Sequence, residues 1–257
     1  MSTQPLPLAL SSPLHAPGTT LVFCDDTDIQ GQPIPKMRPD LRILAAVQMR
    51  SESYGALEAE MATARTMYGV SEFHATDIAT SNRAWTGRSE EERLEAMTFV
   101  AERLAEHGTR VAAVWLPKGE YPKVKKDAEK LGPVSAGFKH ALKRALVRSV
   151  VERLANGTRP AMLWLDQDKP GAAPKVEKWP DATFLTGGGP IVAPSHLVGG
   201  LQLADLAVWS IQRFMTKRAG FDDDSATVFD EVAMTVVAGF PTGIDDLRGD
   251  DHADWAP

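Results

Sequence analysis

Thr20-Leu21-Val22-Phe23-Cys24-Asp25-Asp26-Thr27 is an apolar run of strand character that ends on two acids. Side chains alternate with period two along a strand, so Leu21, Phe23 and Asp25 share one face. A carboxylate that follows large apolar residues is poorly solvated unless something positive meets it, because an unpaired buried charge shifts its pKa or costs several kcal/mol. Acids recur in such settings further along, in Glu72-Phe73-His74-Ala75-Thr76-Asp77, in Met162-Leu163-Trp164-Leu165-Asp166 and in Gly200-Leu201-Gln202-Leu203-Ala204-Asp205. A shared divalent cation would meet all four sites at once.

Outward from this strand the chain alternates strand and helix patterns. Leu41 to Met49 is a second strand, reached through a loop rich in Gly31, Pro33, Pro35 and Pro39, which predicts a long hairpin. Ser53 to Tyr68 has helical spacing in Leu57, Met61, Ala64 and Tyr68, with Gly69 as its C-terminal cap. Ser89 before Glu90-Glu91-Glu92 is a helix start; Leu94, Met97, Ala101 and Leu104 form its apolar face and Gly108 ends it. Val111 to Leu116 predicts a strand, Ser135 to Ala155 a long basic helix ended by Asn156-Gly157, and Ala161 to Asp166 a buried strand. Met162, Trp164 and Asp166 share a face of that last strand, so both Asp25 and Asp166 are expected at strand ends. Short strands are expected at Thr183 to Leu185 and Pro190 to Ala193, then a helix from about Gly199 to Arg218. In that helix Leu201, Ala204, Val208, Ile211 and Met215 make an apolar stripe, and Gln202, Asp205, Trp209 and Arg213 make the stripe beside it. This order predicts an α/β fold, a single mixed β-sheet with helices packed on its faces. Residues 1–18 read as a disordered Pro- and Ser-rich leader, 19–220 as the folded domain and 221–257 as an acidic C-terminal extension.

The 257 residues, 43% of them hydrophobic, suffice for a sizeable core. No apolar stretch approaches the roughly 20 residues that span a bilayer, and the N-terminus lacks signal-peptide character, so no membrane association and a cytoplasmic location are expected. The single Cys24 sits within a strand pattern and reads as a packing residue. The net charge of −6 is unevenly spread. Lys118 to Arg159 holds eleven Lys and Arg against four acids, a balance of +7, whereas Asp222 onward holds ten acids against Arg248. The basic segment, with Lys139, Lys143, Arg144 and Arg148, is either a solvated helix face or a surface for the nucleic-acid backbone.

The runs that carry the acids resemble a known family. Phe23-Cys24-Asp25-Asp26-Thr27 is similar to the strand-Asp-Glu-Ser opening of the bacterial domain-of-unknown-function family 3800, with Asp26 in place of the family's Glu and Asp28 in place of its Gly. Glu72-Phe73-His74 is similar to its Glu-x-His segment, Leu163-Trp164-Leu165-Asp166 to its second acidic strand and Gln202-Leu203-Ala204-Asp205 to its C-terminal Gln-x-x-Asp helix. The order agrees from about Thr20 to Arg218, with the Gln-x-x-Asp helix the most specific element. Family members resemble ribonuclease H-like metal-dependent nucleases. The resemblance therefore implies a ribonuclease H-like catalytic domain over 19–220 that acts on DNA or RNA.

Chemistry gives a separate reason to take the acids together. Two-metal phosphodiester cleavage needs carboxylates that hold ions roughly 4 Å apart, which Asp25, Glu72, Asp166 and Asp205 could supply. Hard oxygen ligands and the lack of a cysteine cluster point to Mg²⁺ or Mn²⁺ rather than zinc. His74 reads as a proton shuttle, an added ligand or a hydrogen-bonded structural residue. Alone, Asp205 is an ordinary early-helix acid and Asp166 an ordinary turn cap. Asp26, Asp28, Asp77 and Asp168 read as solvated loop acids, with Asp26 kept as a secondary metal ligand. Gly187-Gly188-Gly189-Pro190 lacks the Lys-Ser/Thr of a phosphate loop, so no nucleotide cofactor is expected. Ser195-His196 lacks the context of a serine hydrolase nucleophile. A metal-dependent nuclease is the first expectation, a catalytically silent binding module the second, and a hydrolase of another phosphorylated substrate the third.

Overall fold

A computed structural model of the chain describes residues 18–29, 41–117, 147, 151, 154, 161–167, 173–178, 185, 188–218, 227–239 and 244–246. Residues 1–17 of the expected leader, the hairpin loop and most of the expected basic helix lie outside the described residues, as do Lys139, Lys143, Arg144, Arg148 and Asp168. Strands β1 (Thr20–Ile29) and β2 (Leu41–Arg50) pair antiparallel over their whole length, from Thr20 opposite Arg50 to Ile29 opposite Leu41. Helix α1 (Ser51–Tyr68) follows at once and ends on Gly69, whose φ of +63° places it in the left-handed region glycine enters without steric cost. Helix α2 (Ala75–Thr80) and a 3₁₀ turn, Arg83–Trp85, lead to α3 (Glu90–His107). Ser89 caps α3 as its spacing predicts, its side chain accepting from the Glu92 N–H.

Strand β3 (Gly108–Pro117) returns antiparallel to β2, and β4 (Ala161–Asp166) adds parallel to β1 on the other side. Short strands β5 (Lys175–Val176), β6 (Ile191–Ala193) and β7 (Ile244–Asp246) complete a seven-stranded mixed sheet in the order β5-β6-β4-β1-β2-β3-β7. Helices α4 (Gly199–Arg218) and α5 (Val228–Ala238) close the set, and the expected mixed sheet with helices packed on it is what the chain forms.

Period-two alternation sorts the sheet into two apolar faces. Leu21, Phe23, Ile43, Ala45, Val47, Met162 and Trp164 join residues of α1, α3, α4 and α5 in one core. Val22, Cys24, Leu44, Ala46, Leu163 and Leu165 face the opposite layer, where Val147, Val151 and Leu154, spaced as on a helix, are also buried. Cys24 is a buried packing residue there, as expected.

Three sequence expectations change. β1 does not stop at Asp25: it runs to Ile29 because β2 pairs with it that far, while its ladder with β4 is complete at Cys24 opposite Leu165. Asp25 therefore lies inside a strand, one step past the point where a neighbour drops away. α4 is buried well beyond its apolar stripe along its first half: every side chain from Leu201 to Ile211 is buried, because the helix lies on β1 and β2 and is covered by α1, α3 and α5. Within the expected acidic extension, α5 packs Phe229, Ala233 and Val236 into the core beside α4, and β7 pairs with β3. Apolar residues at helical spacing outweigh the acidity of that segment. Among the described residues no helix is long and apolar enough to cross a membrane.

Candidate metal centre

β1, β4 and β6 run parallel, so their carboxyl ends open on one edge of the sheet, the place where open α/β sheets build sites. Asp25 and Asp166 stand there, and the chain after β6 turns through Ser195–Leu197 into α4. A cavity of about 270 Å³ lies at this edge, with Asp25, Asp26, Glu72, His74, Asp166 and Asp205 in its lining. The acids expected to converge thus do so, although they come from β1, the segment before α2, the end of β4 and the second turn of α4.

A small set of buried polar groups fixes their geometry. Ser195 bridges two of the acids: its N–H donates to Asp166 Oδ1 at 3.0 Å and its hydroxyl to Glu72 Oε2 at 2.8 Å. Gln202, 1% exposed, spans the gap between segments, with Nε2 donating to the Ser195 carbonyl and Oε1 accepting from the Phe73 N–H, both at 2.9 Å. One end of this amide takes up the buried Phe73 N–H, and the other adds a second donor to the Ser195 carbonyl, which also accepts from the Val198 N–H. One turn further on, Asp205 Oδ2 accepts from the Ala75 N–H at 2.6 Å, and Oδ1 lies 3.4 Å from His74 Nε2. α4 therefore ties the Glu72-to-Ala75 segment down at two points, three residues apart on one helical face.

Burial pushes the Asp205 carboxyl above the usual aspartate range; His74 and the Ala75 N–H offset part of this, while the charges of Glu72 and Asp166 add to it. Two neighbours acting in the raising direction mean that the acids are close enough to repel. His74 is half-exposed, and its buried Nδ1 makes no hydrogen bond to the described residues, lying 3.4 Å from Asp77 Oδ2.

Three acids that read as loop residues in the sequence are placed differently, Asp28 among them within β1 opposite Arg42. Asp26 is in β1 and forms an ion pair with Arg42 of β2. Asp77 is in α2, 8% exposed, and meets both His74 and Arg83. The sequence gives Ser195 no nucleophile context and no sign of its role as a donor to two acids. Arg83, Trp209 and Gln212 carry no site signal of their own, although Trp209 and Gln212 line the cavity. The three- and four-residue steps from Gln202 through Asp205 and Trp209 to Gln212 are the signal that could find the last two.

A second group with ligand character, Glu60, Glu106 and His107, gathers side-chain donors within 4.8 Å between α1 and α3. Arg103 pairs there with Glu60 at 2.9 Å and with Glu106 at 3.1 Å, so a guanidinium already neutralises these acids.

The donor set of the cavity suits a hard divalent cation. It offers carboxylate oxygens, a partly exposed imidazole and no thiolate, since Cys24 points into the opposite core. Mutual repulsion among the acids is what such a cation would relieve.

No family model matches the chain, and no curated protein matches it. Among solved structures it is similar to the crystal structure of Bst-RNase HIII in complex with Mn²⁺, at 14% identity and a TM-score of 0.39, and to that of a variant of Bst-RNase HIII, at 13% identity and a TM-score of 0.39. Each comparison covers 86% of this chain and 63% of the other, so the chain spans less than two thirds of the length of the structures it matches.

Proposed function

We propose that this chain is a divalent-metal-dependent nuclease of ribonuclease H-like architecture that hydrolyses phosphodiester bonds of DNA or RNA in the cytoplasm. The observation that carries the reading is the meeting of Asp25, Glu72, Asp166 and Asp205, from four separate elements, around one cavity with the Asp205 carboxyl raised by burial and by its acidic neighbours. The resemblance of the four acidic runs to family 3800 supports it independently.

Asp25, Glu72, Asp166 and Asp205 would hold Mg²⁺ or Mn²⁺. When bound, such ions lower the pKa of an attacking water and neutralise charge on the leaving oxygen. Ser195 keeps Glu72 and Asp166 at a fixed separation through its two donated hydrogen bonds, so the site is organised before substrate arrives. His74 sits between Asp205 and Asp77 with one face to solvent, a placement from which an imidazole can carry a proton between the cavity and bulk water. Asp26, already paired with Arg42, is the secondary ligand of the set. The basic segment with Lys139, Lys143, Arg144 and Arg148 supplies backbone contacts to the nucleic acid.

The test is cleavage of single- and double-stranded DNA and RNA with each metal. Asp25→Asn and Asp205→Asn keep side-chain size but remove a negative charge, and each is expected to lower cleavage at least about 100-fold while the chain stays folded. Added Mg²⁺ should raise the melting temperature of the parent more than that of either variant. A parent that cleaves no substrate with either metal, and whose melting temperature ignores both, would establish the silent-module reading instead.

A further inference from the structure

Arg83 stands apart from the proposed ligand set, and its backbone is unusual. Its φ is +51°, in the left-handed region that residues with a Cβ seldom adopt and that persists where surrounding structure over-determines it. The surroundings do so here. Trp85, 1% exposed, packs between Tyr68 and Phe73 at ring-centroid distances of 5.8 and 6.0 Å. Its N–H donates to the Asn82 carbonyl and its own carbonyl accepts from Ser81 Oγ, while the Thr86 N–H donates to the Arg83 carbonyl. The turn delivers a guanidinium to the rim of the acid cavity. Arg83 Nη1 lies 3.2 Å from Asp77 Oδ2 and 3.9 Å from Glu72 Oε1, with the side chain 70% exposed. The buried Trp85 accounts for the turn, but an ion pair so open to water adds little to stability, so stability does not account for the guanidinium at this rim.

Charge suggests the use. Asp25, Asp26, Glu72, Asp166 and Asp205 make the cavity strongly negative, and a phosphodiester is itself an anion. Arg42, the other guanidinium at this site among the described residues, is tied to Asp26 and nearly buried. Arg83 instead keeps most of its surface in water and carries a planar fork of N–H donors matched to phosphate oxygens. Its closer partner, Asp77, takes no part in the proposed ligand set and can anchor the guanidinium from behind. Its looser partner, Glu72, is the one that a cation would draw away.

We propose that Arg83 grips a nonbridging phosphate oxygen of the substrate strand at the rim of this cavity, with Asp77 as its positioning partner. The inference rests on the nuclease reading for the kind of substrate, and its test reads binding rather than turnover. Short fluorescein-labelled oligonucleotides of dT and of U are titrated, with Mg²⁺ present, into the Asp25→Asn chain with and without changes at residue 83, and fluorescence anisotropy is followed across a salt series. Arg83→Ala should weaken binding at least about tenfold and lower the log–log salt slope by about 0.7, the value for one phosphate no longer neutralised on a single strand. Arg83→Lys should recover part of the affinity and most of the slope, because it restores the charge without the fork. The melting temperature should move by less than about 2 °C in both, as for an exposed ion pair.

Affinity within about twofold after Arg83→Ala overturns the proposal, as does a loss of affinity with unchanged salt slope, and as does failure of the Arg83-containing chain to bind either oligonucleotide. If Arg83→Ala does not fold, Arg83→Gln, which also removes the charge but keeps a long polar side chain, decides on the same criteria. Oligonucleotide binding that depends on Arg83 in a chain whose parent cleaves nothing would remove the nuclease reading and keep this one. Cleavage by the parent with normal binding by Arg83→Ala would do the reverse.

Discussion

Asp205 carries the chemistry of the site at the scale of a single residue. Its carboxyl is raised chiefly by burial, so the folded chain holds this proton to a higher pH than the unfolded chain, which ionises it at the ordinary value. The sign follows directly: below the ordinary aspartate range both states are protonated and the folded chain bears no penalty. As pH climbs from that range through the raised folded-state value, ionisation costs stability, and above it the cost is complete. In EDTA at pH 7.5, Asp205→Asn should therefore melt higher than the parent, by roughly 2–4 °C if the penalty is about 1 kcal/mol. The gap should close as pH is lowered toward 4, and calorimetry across that range checks it; an equal or wider gap at low pH would mean that the Asn gains something other than relief from charge. Glu58 follows the same rule away from the acids, raised by burial while it accepts from Gly199 N–H at 2.5 Å.

At the scale of elements, the site depends on how closely α4 lies on β1. Gly199 and Gly200 open the helix against the sheet, and a Cβ on Gly200 would stand 2.6 Å from the Phe23 ring. That ring cannot step aside freely: it is fully buried and stacked on Tyr54 at 5.3 Å and Trp164 at 6.2 Å. Gly200→Ala should accordingly cost about 1–3 kcal/mol, the usual range for overpacking a filled core. It should also weaken the thermal response to Mg²⁺, since α4 must lift and carry Gln202 and Asp205 with it. Urea denaturation with and without Mg²⁺ reads both effects, and an unchanged midpoint would show that α4 accommodates the methyl by local adjustment. Gly69 meets a different demand, a left-handed C-cap at a φ of +63°.

For the whole molecule the question is charge. A net −6 protein approaches a polyanion only through a surface where cations outnumber acids, and the balance of +7 between Lys118 and Arg159 is the strongest such segment in the chain. Changing Lys143, Arg144 and Arg148 to Ala should flatten the dependence of nucleic-acid affinity on salt by about 0.7 for each phosphate they neutralise on a single strand, to a little over 2 if all three touch phosphates. Affinity measured between low and physiological salt tests this, and a slope equal to the parent's would assign the backbone-binding surface elsewhere. Removing the acidic residues beyond Asp222 is not a clean counterpart, because α5 lies among them: Phe229 and Ala233 are buried in the main core, and Asp230 pairs with Arg213 of α4 at 2.8 Å.

Local physics made much of this legible in the amino-acid order alone. Period-two and helical spacings mark β2, α1, α3, β4 and α4 to within a few residues, and Ser89 and Gly69 mark their ends, because caps and amphipathic faces are short-range properties. The same patterns place Asp25 and Asp166 on the helix-covered face, since Leu21, Phe23, Met162 and Trp164 declare it. Tertiary structure alone decided the rest. No spacing says that β4 stops pairing with β1 one residue before Asp25, that Gln202 closes a gap across 129 residues to Phe73, or that Ser195 donates to two acids at once. Arg83 and Asp77 have the pattern of solvent residues, and only a buried Trp85, turning the chain beneath them, brings them to the cavity. Those outcomes depend on which strands become neighbours and on how near a helix can approach a sheet. Both are set by packing between segments distant in sequence, to which a local pattern carries no reference.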